Sequence, residues 1–215
     1  LRGGHAMATL GTRVVLFGGS SGGTRLNDTW EWDGSTWASR PQSVNPPGRS
    51  GHALAALGTK LVLFGGAGAT GTLNDTWEWD GSSWTRKTPA TSPPGRSEFA
   101  MATRGAKAVL FGGHSGVSSL DDTWEWDGVT WTPVSSNGPP ARYGHALATL
   151  GTRVVLFGGV GNFAFLGDTW EWDGAQWAQQ TLARSPPPHY RHTLSTLGTL
   201  VALFGGVSGS GGVGE

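Results

Sequence analysis

The sequence predicts an all-β fold built from repeated four-stranded antiparallel sheets, and three observations predict it. Twelve tryptophans fall in four triplets of identical spacing: Trp30, Trp32 and Trp37; Trp77, Trp79 and Trp84; Trp124, Trp126 and Trp131; Trp170, Trp172 and Trp177. Glycine pairs at Gly18-Gly19, Gly65-Gly66, Gly112-Gly113, Gly158-Gly159 and Gly205-Gly206 recur 47, 47, 46 and 47 residues apart, in step with the tryptophans. A period of this length signals stacked supersecondary units. No stretch carries a capped helical period, so the class is all-β.

Each copy reads as four short strands. In the first copy His5 to Leu10 is a run of small residues, Arg13 to Phe17 is β-branched and apolar, Thr29 to Asp33 alternates, and Thr36 to Ser39 follows directly. Gly11-Thr12 turns the first strand into the second, Asp33-Gly34 opens the turn between the third and fourth, and a connector of the Asn45-Pro46-Pro47-Gly48 type leads to the next copy. The single shortened period falls in such a connector, after Trp131. Trp30 and Trp32 point to one face of the third strand and Glu31 to the other, because side chains alternate. A lone four-stranded sheet cannot bury such aromatics, each bringing about 150 to 250 Å². Stacking the sheets around an axis hides them against a neighbour, which is the β-propeller solution. On this reading all twelve tryptophans are largely buried.

Composition narrows the function. The chain has 215 residues, enough for one or two domains with a sizeable core, and 37% are hydrophobic. Fifteen basic and fifteen acidic side chains cancel, and charged residues make up only 14%, so broad electrostatic capture of nucleic acid is not expected. The absence of cysteine rules out disulfides, thiolate metal cages and a cysteine nucleophile. No apolar run is long enough to span a membrane.

An apolar strand ending in a glycine pair (VVLFGG), a nine-residue loop, a TWEWDG strand and a further tryptophan together resemble the kelch repeat, in its bacterial tandem form. The resemblance spans the chain and implies a β-propeller of four complete kelch blades plus the inner half of a fifth, with the first strand of each blade innermost. The repeats run approximately 1–47, 48–94, 95–140, 141–187 and 188–215. Residues 1–215 are read as a single domain and a piece of a longer propeller. Gly51-His52 followed by Trp79-Asp80 also satisfies the loose WD40 pattern, but the glycine pair and longer period favour kelch. Glu215 stands where Asp28, Asp75, Asp122 and Asp168 stand in the other copies, leaving a second strand, Leu200 to Phe204, as an exposed edge through which chains could associate.

Repeated polar positions read as architecture. His5, His52, His145 and His192 share one place at the head of the first strand, with Phe99 in the remaining copy, and are taken as structural. Twelve of the fifteen acids are three per copy, as in Asp28, Glu31 and Asp33; the others, Glu98, Asp121 and Glu215, form no recognisable pair. Pairing of the second and third strands predicts ion pairs Arg13–Asp33, Lys60–Asp80, Lys107–Asp127 and Arg153–Asp173. Gly66, Gly68 and Gly71 match a dinucleotide-binding pattern but lead into a strand, which offers no helix N-terminus. The Asn27 and Asn74 sequons matter only in a secreted eukaryotic chain. No GxSxG nucleophile elbow is present. The Tyr-Cys cofactor of galactose-oxidase-like relatives needs a cysteine that is missing.

Positions that differ between copies are free to serve a ligand. The nine-residue loops after the glycine pairs and the connectors before each first strand share one rim. The candidate ligand-binding residues there are Arg49, Arg96, Arg142, Tyr143, Phe163, Phe165, Tyr190 and Arg191. Arginine and the aromatics are residue types that anchor interfaces. The leading reading is a non-catalytic module binding a protein or glycan, with no metal, cofactor, nucleic acid or membrane insertion. The alternatives are a kelch-fold sugar epimerase or hydrolase with its site at the axial mouth, and a purely structural repeat. The compartment is left unknown, with an extracellular or periplasmic bacterial one as the working expectation.

Overall fold

The computed structural model describes residues 1–134 and 137–208. Four successive copies each fold into a four-stranded antiparallel sheet whose strands lie in chain order. The first sheet comprises Ala6–Leu10, Arg13–Phe17, Thr29–Trp32 and Trp37–Ser39. The second begins at Ala53–Leu57, the third at Ala100–Arg104 and the fourth at Ala146–Leu150. These first strands lie against one another around a common axis, followed by Thr193–Leu197, which pairs with Leu200–Phe204 as the inner half of a fifth blade. Among the described residues Leu200–Phe204 pairs with no other strand, and Leu200 and Phe204 are exposed. The expected place of Glu215 lies outside the described residues.

Register explains the core. Leu61 sits opposite Trp79 and Leu63 opposite Trp77, while Trp84 sits opposite Trp79 on the fourth strand, so these five side chains form one face of blade 2. That face packs on Val15 and Phe17 of blade 1. The same arrangement puts Leu110, Trp126 and Trp131 on Val62 and Phe64, and Leu156, Trp172 and Trp177 on Val109 and Phe111. The core therefore lies between blades. In blades 2 to 4 the last tryptophan of the triplet also finds a polar partner: the indole of Trp84 stands 5.1 Å from Phe17 and donates to Thr29 Oγ1 at 2.9 Å. Trp131 does the same with Phe64 and Thr76, and Trp177 with Phe111 and Thr123.

Tryptophan burial is less uniform than the sequence predicts. Seven of the twelve are buried; Trp30, Trp32, Trp124 and Trp170 are half-buried, and Trp37 is 44% exposed. For Trp32 and Trp37 the reason is that no described blade lies on that face of blade 1, whereas Trp124 and Trp170 stay half-buried although they pack on the edge of the core.

The predicted ion pairs need a correction. Arg13, Lys60, Lys107 and Arg153 pair with Glu31, Glu78, Glu125 and Glu171, two residues before the expected aspartates. The strand register does bring Arg13 to the level of Asp33, since Val14 faces Trp32. But Asp33 Oδ1 already accepts from the backbone N–H groups of Ser35 and Thr36 at 2.8 Å, closing its own turn. The glutamate lies on the same face two residues away and is free to take the cation. These pairs sit at the blade edge with half-exposed cations, so each contributes about 0 to 1 kcal/mol.

Trp79 and Trp37 provide a matched test of this packing. Trp79→Ala should cost about 3 to 5 kcal/mol, and Trp37→Ala, on the uncovered face, about 1 kcal/mol or less. Urea denaturation of both variants checks the contrast, and equal losses would place the core elsewhere.

Candidate functional site

The site begins with the glycine pairs, which end the second strand of each blade where it meets the next blade. Gly65 has φ +60° and Gly66 φ +101°, and a Cβ on Gly66 would come within 2.8 Å of His52 Cβ. Only glycine meets both conditions. The freed backbone reaches across the junction: Gly19, Gly66, Gly113 and Gly159 donate at 2.8 Å to the carbonyls of Arg49, Arg96, Arg142 and His189.

Those arginine side chains turn inward. Arg49 donates to both carboxylate oxygens of Asp75 at 2.7 Å and to the Gly65 carbonyl at 2.8 Å. Arg96 and Arg142 repeat this with Asp122 and Asp168, and Arg2 with Asp28. Burial would raise the Asp75 carboxyl, but the hydrogen bonds and charge of Arg49 and the Trp77 indole outweigh it and hold the group below the usual range. Arg49, Arg96 and Arg142 are fully buried.

Two residues after each arginine, the chain crosses the axial mouth. Gly51 N donates to Gly4 O, Glu98 N to Gly51 O, Gly144 N to Glu98 O and Arg191 N to Gly144 O, all at 2.7 to 2.8 Å. This series of backbone hydrogen bonds from blade to blade has a left-handed residue in every copy. Glycine supplies it at Gly4, Gly51 and Gly144, each with φ +64°, whereas Glu98 and Arg191 adopt φ +55° and +57°. These two side chains meet across the intervening blade: Arg191 Nη2 donates to Glu98 Oε1 at 2.5 Å, and the Tyr190 hydroxyl donates to Glu98 Oε2 at 3.0 Å. Arg191 also lies 4.8 Å from the Tyr190 ring centre.

A family model described as the Kelch motif matches residues 1–41, which form blade 1. The following three blades repeat its four strands, glycine pair, arginine–aspartate pair and tryptophans in the same register. The first blade is thus a Kelch motif, and the other three are built on its plan. No curated protein matches the chain. Kelch propellers are commonly protein-binding scaffolds. No helix among the described residues is long and apolar enough to cross a membrane.

On this kelch propeller the eight residues expected at the rim divide in two. Arg49, Arg96 and Arg142 are drawn into the blades, because a guanidinium with a carboxylate and a carbonyl in reach is more stable paired there than free on the rim. Tyr143, Phe165, Tyr190 and Arg191 come together: Phe165 lies 6.0 Å from Tyr190, and Tyr190 5.8 Å from Tyr143. His114 extends the arc, 5.4 Å from Tyr143. Phe163 stands fully exposed at the tip of the hairpin formed by Val160–Gly161 and Ala164–Phe165. Sequence reasoning missed Glu98 and His114. The signal for Glu98 was present: aligning the copies by their glycine pairs puts Gly4, Gly51, Glu98, Gly144 and Arg191 in one column, in which only two residues are not glycine. The same alignment pairs Arg191 with these glycines rather than with Arg49.

The repeated histidines are buried and neutral. Burial first, then Arg49, pushes His52 down to about 3, and burial with Arg142 does the same to His145. Burial and neighbouring His189 push His192 down to about 4. The His52 Nε2–H donates to the Phe17 carbonyl at 3.1 Å. In the unfolded chain these groups titrate near about 6.5. Their contribution to stability is therefore complete above that pH and is lost as pH falls toward 4, by about 1.4 kcal/mol per pH unit for each histidine. His52→Phe, the residue the third copy carries as Phe99, should remove one histidine's share of that slope while the chain still folds. Urea denaturation between about pH 6.5 and 4.5 checks this, and an unchanged slope would assign the titration elsewhere.

Proposed function

We propose that the chain is a non-catalytic binding module that takes a protein or glycan ligand on the rim carrying Tyr143, Phe163, Phe165, Tyr190 and Arg191. One observation carries this reading. Four non-glycine residues among those described have positive φ, namely Glu98, Asn162, Phe163 and Arg191, and all four lie on this rim. Each stands where another copy uses glycine: Gly51 for Glu98 and Arg191, Gly22 and Gly23 for Asn162 and Phe163. Such conformations cost on the order of 1 to 3 kcal/mol each and concentrate at functional sites. A fully exposed phenylalanine gains nothing in folding that offsets the strain, so a contact made outside the chain supplies its rationale.

Arg49, Arg96 and Arg142 leave the ligand set because they are buried, and Glu98 and His114 join it. The mixed acid, phenol and guanidinium at the mouth resemble what an enzyme would assemble. Yet burial first, then Glu98, raises the Tyr190 phenol, and the hydrogen bond that Arg191 donates to Glu98 raises Arg191. Both are held protonated, and neither serves as a base near neutrality.

Replacing Asn162 and Phe163 by the Gly-Gly of blade 1 tests the reading. Thermal stability should hold or rise, by up to about 1 kcal/mol per residue, while capture of ligand by the immobilised chain, from a glycan array or from purified candidate proteins, should fall. Retained capture with an intact fold would move the site to the axial cavity and favour the enzyme reading. Self-association belongs to the same proposal, through the unpaired edge of Leu200–Phe204. Light scattering should rise with concentration, and a strictly monomeric species would count against it.

A further inference from the structure

Below the mouth lies a cavity of about 960 Å³ whose lining includes His5, Glu98, His145 and Arg191. Its polar groups are of one kind. Thr9, Ser20, Ser50, Ser97, Thr193 and Ser195 bring six hydroxyls to the lining, against a single acid and a single arginine. That acid and arginine are already paired, so the cavity presents no net charge to attract an anion or a cation. The Arg191 side chain is 60% exposed and points its remaining donors outward, while Glu98 keeps acceptor capacity beside it.

His5 and His145 line the cavity, but their Nδ1 atoms are buried, as are those of His52 and His192 in other copies, and belong to the packing of the repeat. A hydroxyl group suits the rest of the lining: it donates to Glu98 and accepts from Arg191 or from a serine. A carboxylate meets only the arginine and opposes Glu98; an ammonium does the reverse. Outside the cavity, Tyr143 and Phe165 offer apolar ring surface on either side of Tyr190, while Gly3, Gly4 and Gly51 are part of the lining.

We propose that the mouth and cavity form a seat for a neutral polyhydroxylated ligand, an uncharged oligosaccharide, gripped by the Arg191–Glu98 pair. The inference rests on the rim being a binding face and adds which class of ligand it takes. The strained φ of Glu98 and Arg191 then has a purpose, because side chains on those two residues project over the axis where glycine projects nothing.

Calorimetric titration of the chain with cellohexaose, maltohexaose, xylohexaose and N-acetylated chitohexaose tests the proposal, with a galacturonate hexamer and an acidic peptide as charged comparisons. At least one neutral hexasaccharide should bind with a Kd of about 1 mM or tighter. That affinity should change little between about 50 and 500 mM salt, since screening acts on charged ligands. Glu98→Gly, the residue of three other copies, should weaken it by about tenfold or more while the melting temperature stays within about 4 °C. Glu98→Gln, which keeps shape and one acceptor, should give a smaller loss.

The proposal is overturned if no neutral hexasaccharide saturates, or if the galacturonate or the peptide binds more tightly. It is equally overturned if both Glu98 variants bind like the parent, or if they melt far lower yet bind unchanged, which would make the pair a clasp. Ligand lost on the Gly-Gly change at Asn162-Phe163 but kept in Glu98→Gly would overturn the seat and leave the rim reading standing. Loss in the Glu98 variants alone would support the seat and remove the outer loop from it.

Discussion

The fold depends on one requirement: the last two indoles of blades 2 to 4 leave water, and a single four-stranded sheet has nowhere to put them. Each blade solves this by laying Trp77, Trp79 and Trp84, or their equivalents, on the valine and phenylalanine of the blade before. Because the donor face and the receiving face are opposite sides of the same sheet, the solution propagates in one direction. Blades then fan around an axis, and the innermost strands must be narrow, which suits runs such as Ala-Leu-Ala-Ala-Leu at Ala53–Leu57. The hydroxyls of Thr29, Thr76 and Thr123 give the indole N–H groups of Trp84, Trp131 and Trp177 partners, whereas those of Trp79 and Trp126 are buried without one.

Packing sets the blades side by side, and the glycine pairs set how closely they approach. With no Cβ at Gly66 the backbone comes against His52 and donates to Arg96, while the Arg96 side chain is anchored by Asp122 and Gly112. One residue type thus serves two blades, its carbonyl binding the blade before and its guanidinium its own. This explains why arginines that look free in the sequence are not available to a ligand. It also explains the histidines, which are held neutral by the same close approach.

The functional argument comes from places where the chain breaks its own pattern. A repeat protein carries its folding requirements several times over, so a departure that adds strain cannot be explained by folding alone. Glu98, Arg191, Asn162 and Phe163 are such departures, and they converge on one rim. Departures that add no strain, such as Phe99 among the histidines, carry no such implication. Stability and function are separable here because the unstrained version of each position exists in another blade.

Much of the fold was legible in the sequence. Four tryptophan triplets and five glycine pairs in step allow little besides stacked sheets, and the alternation within Thr29–Trp32 assigns the faces. The ion pairs were misjudged by two residues because strand register is local but the demands on Asp33 come from its own turn. Tyr143, Phe163, Phe165, Tyr190 and Arg191 were legible as copy-specific residues on one rim. Glu98 was legible as a departure from glycine in its column, but its pairing with Arg191 was not, since the two lie 93 residues apart, two blades on. The sequence by itself determined which residues repeat and hence which face of each blade is buried, because periodicity is a one-dimensional property. Which arginines are buried and which reach the mouth was decided by the tertiary structure, because that depends on the distance between blades, a quantity fixed only when every blade is packed.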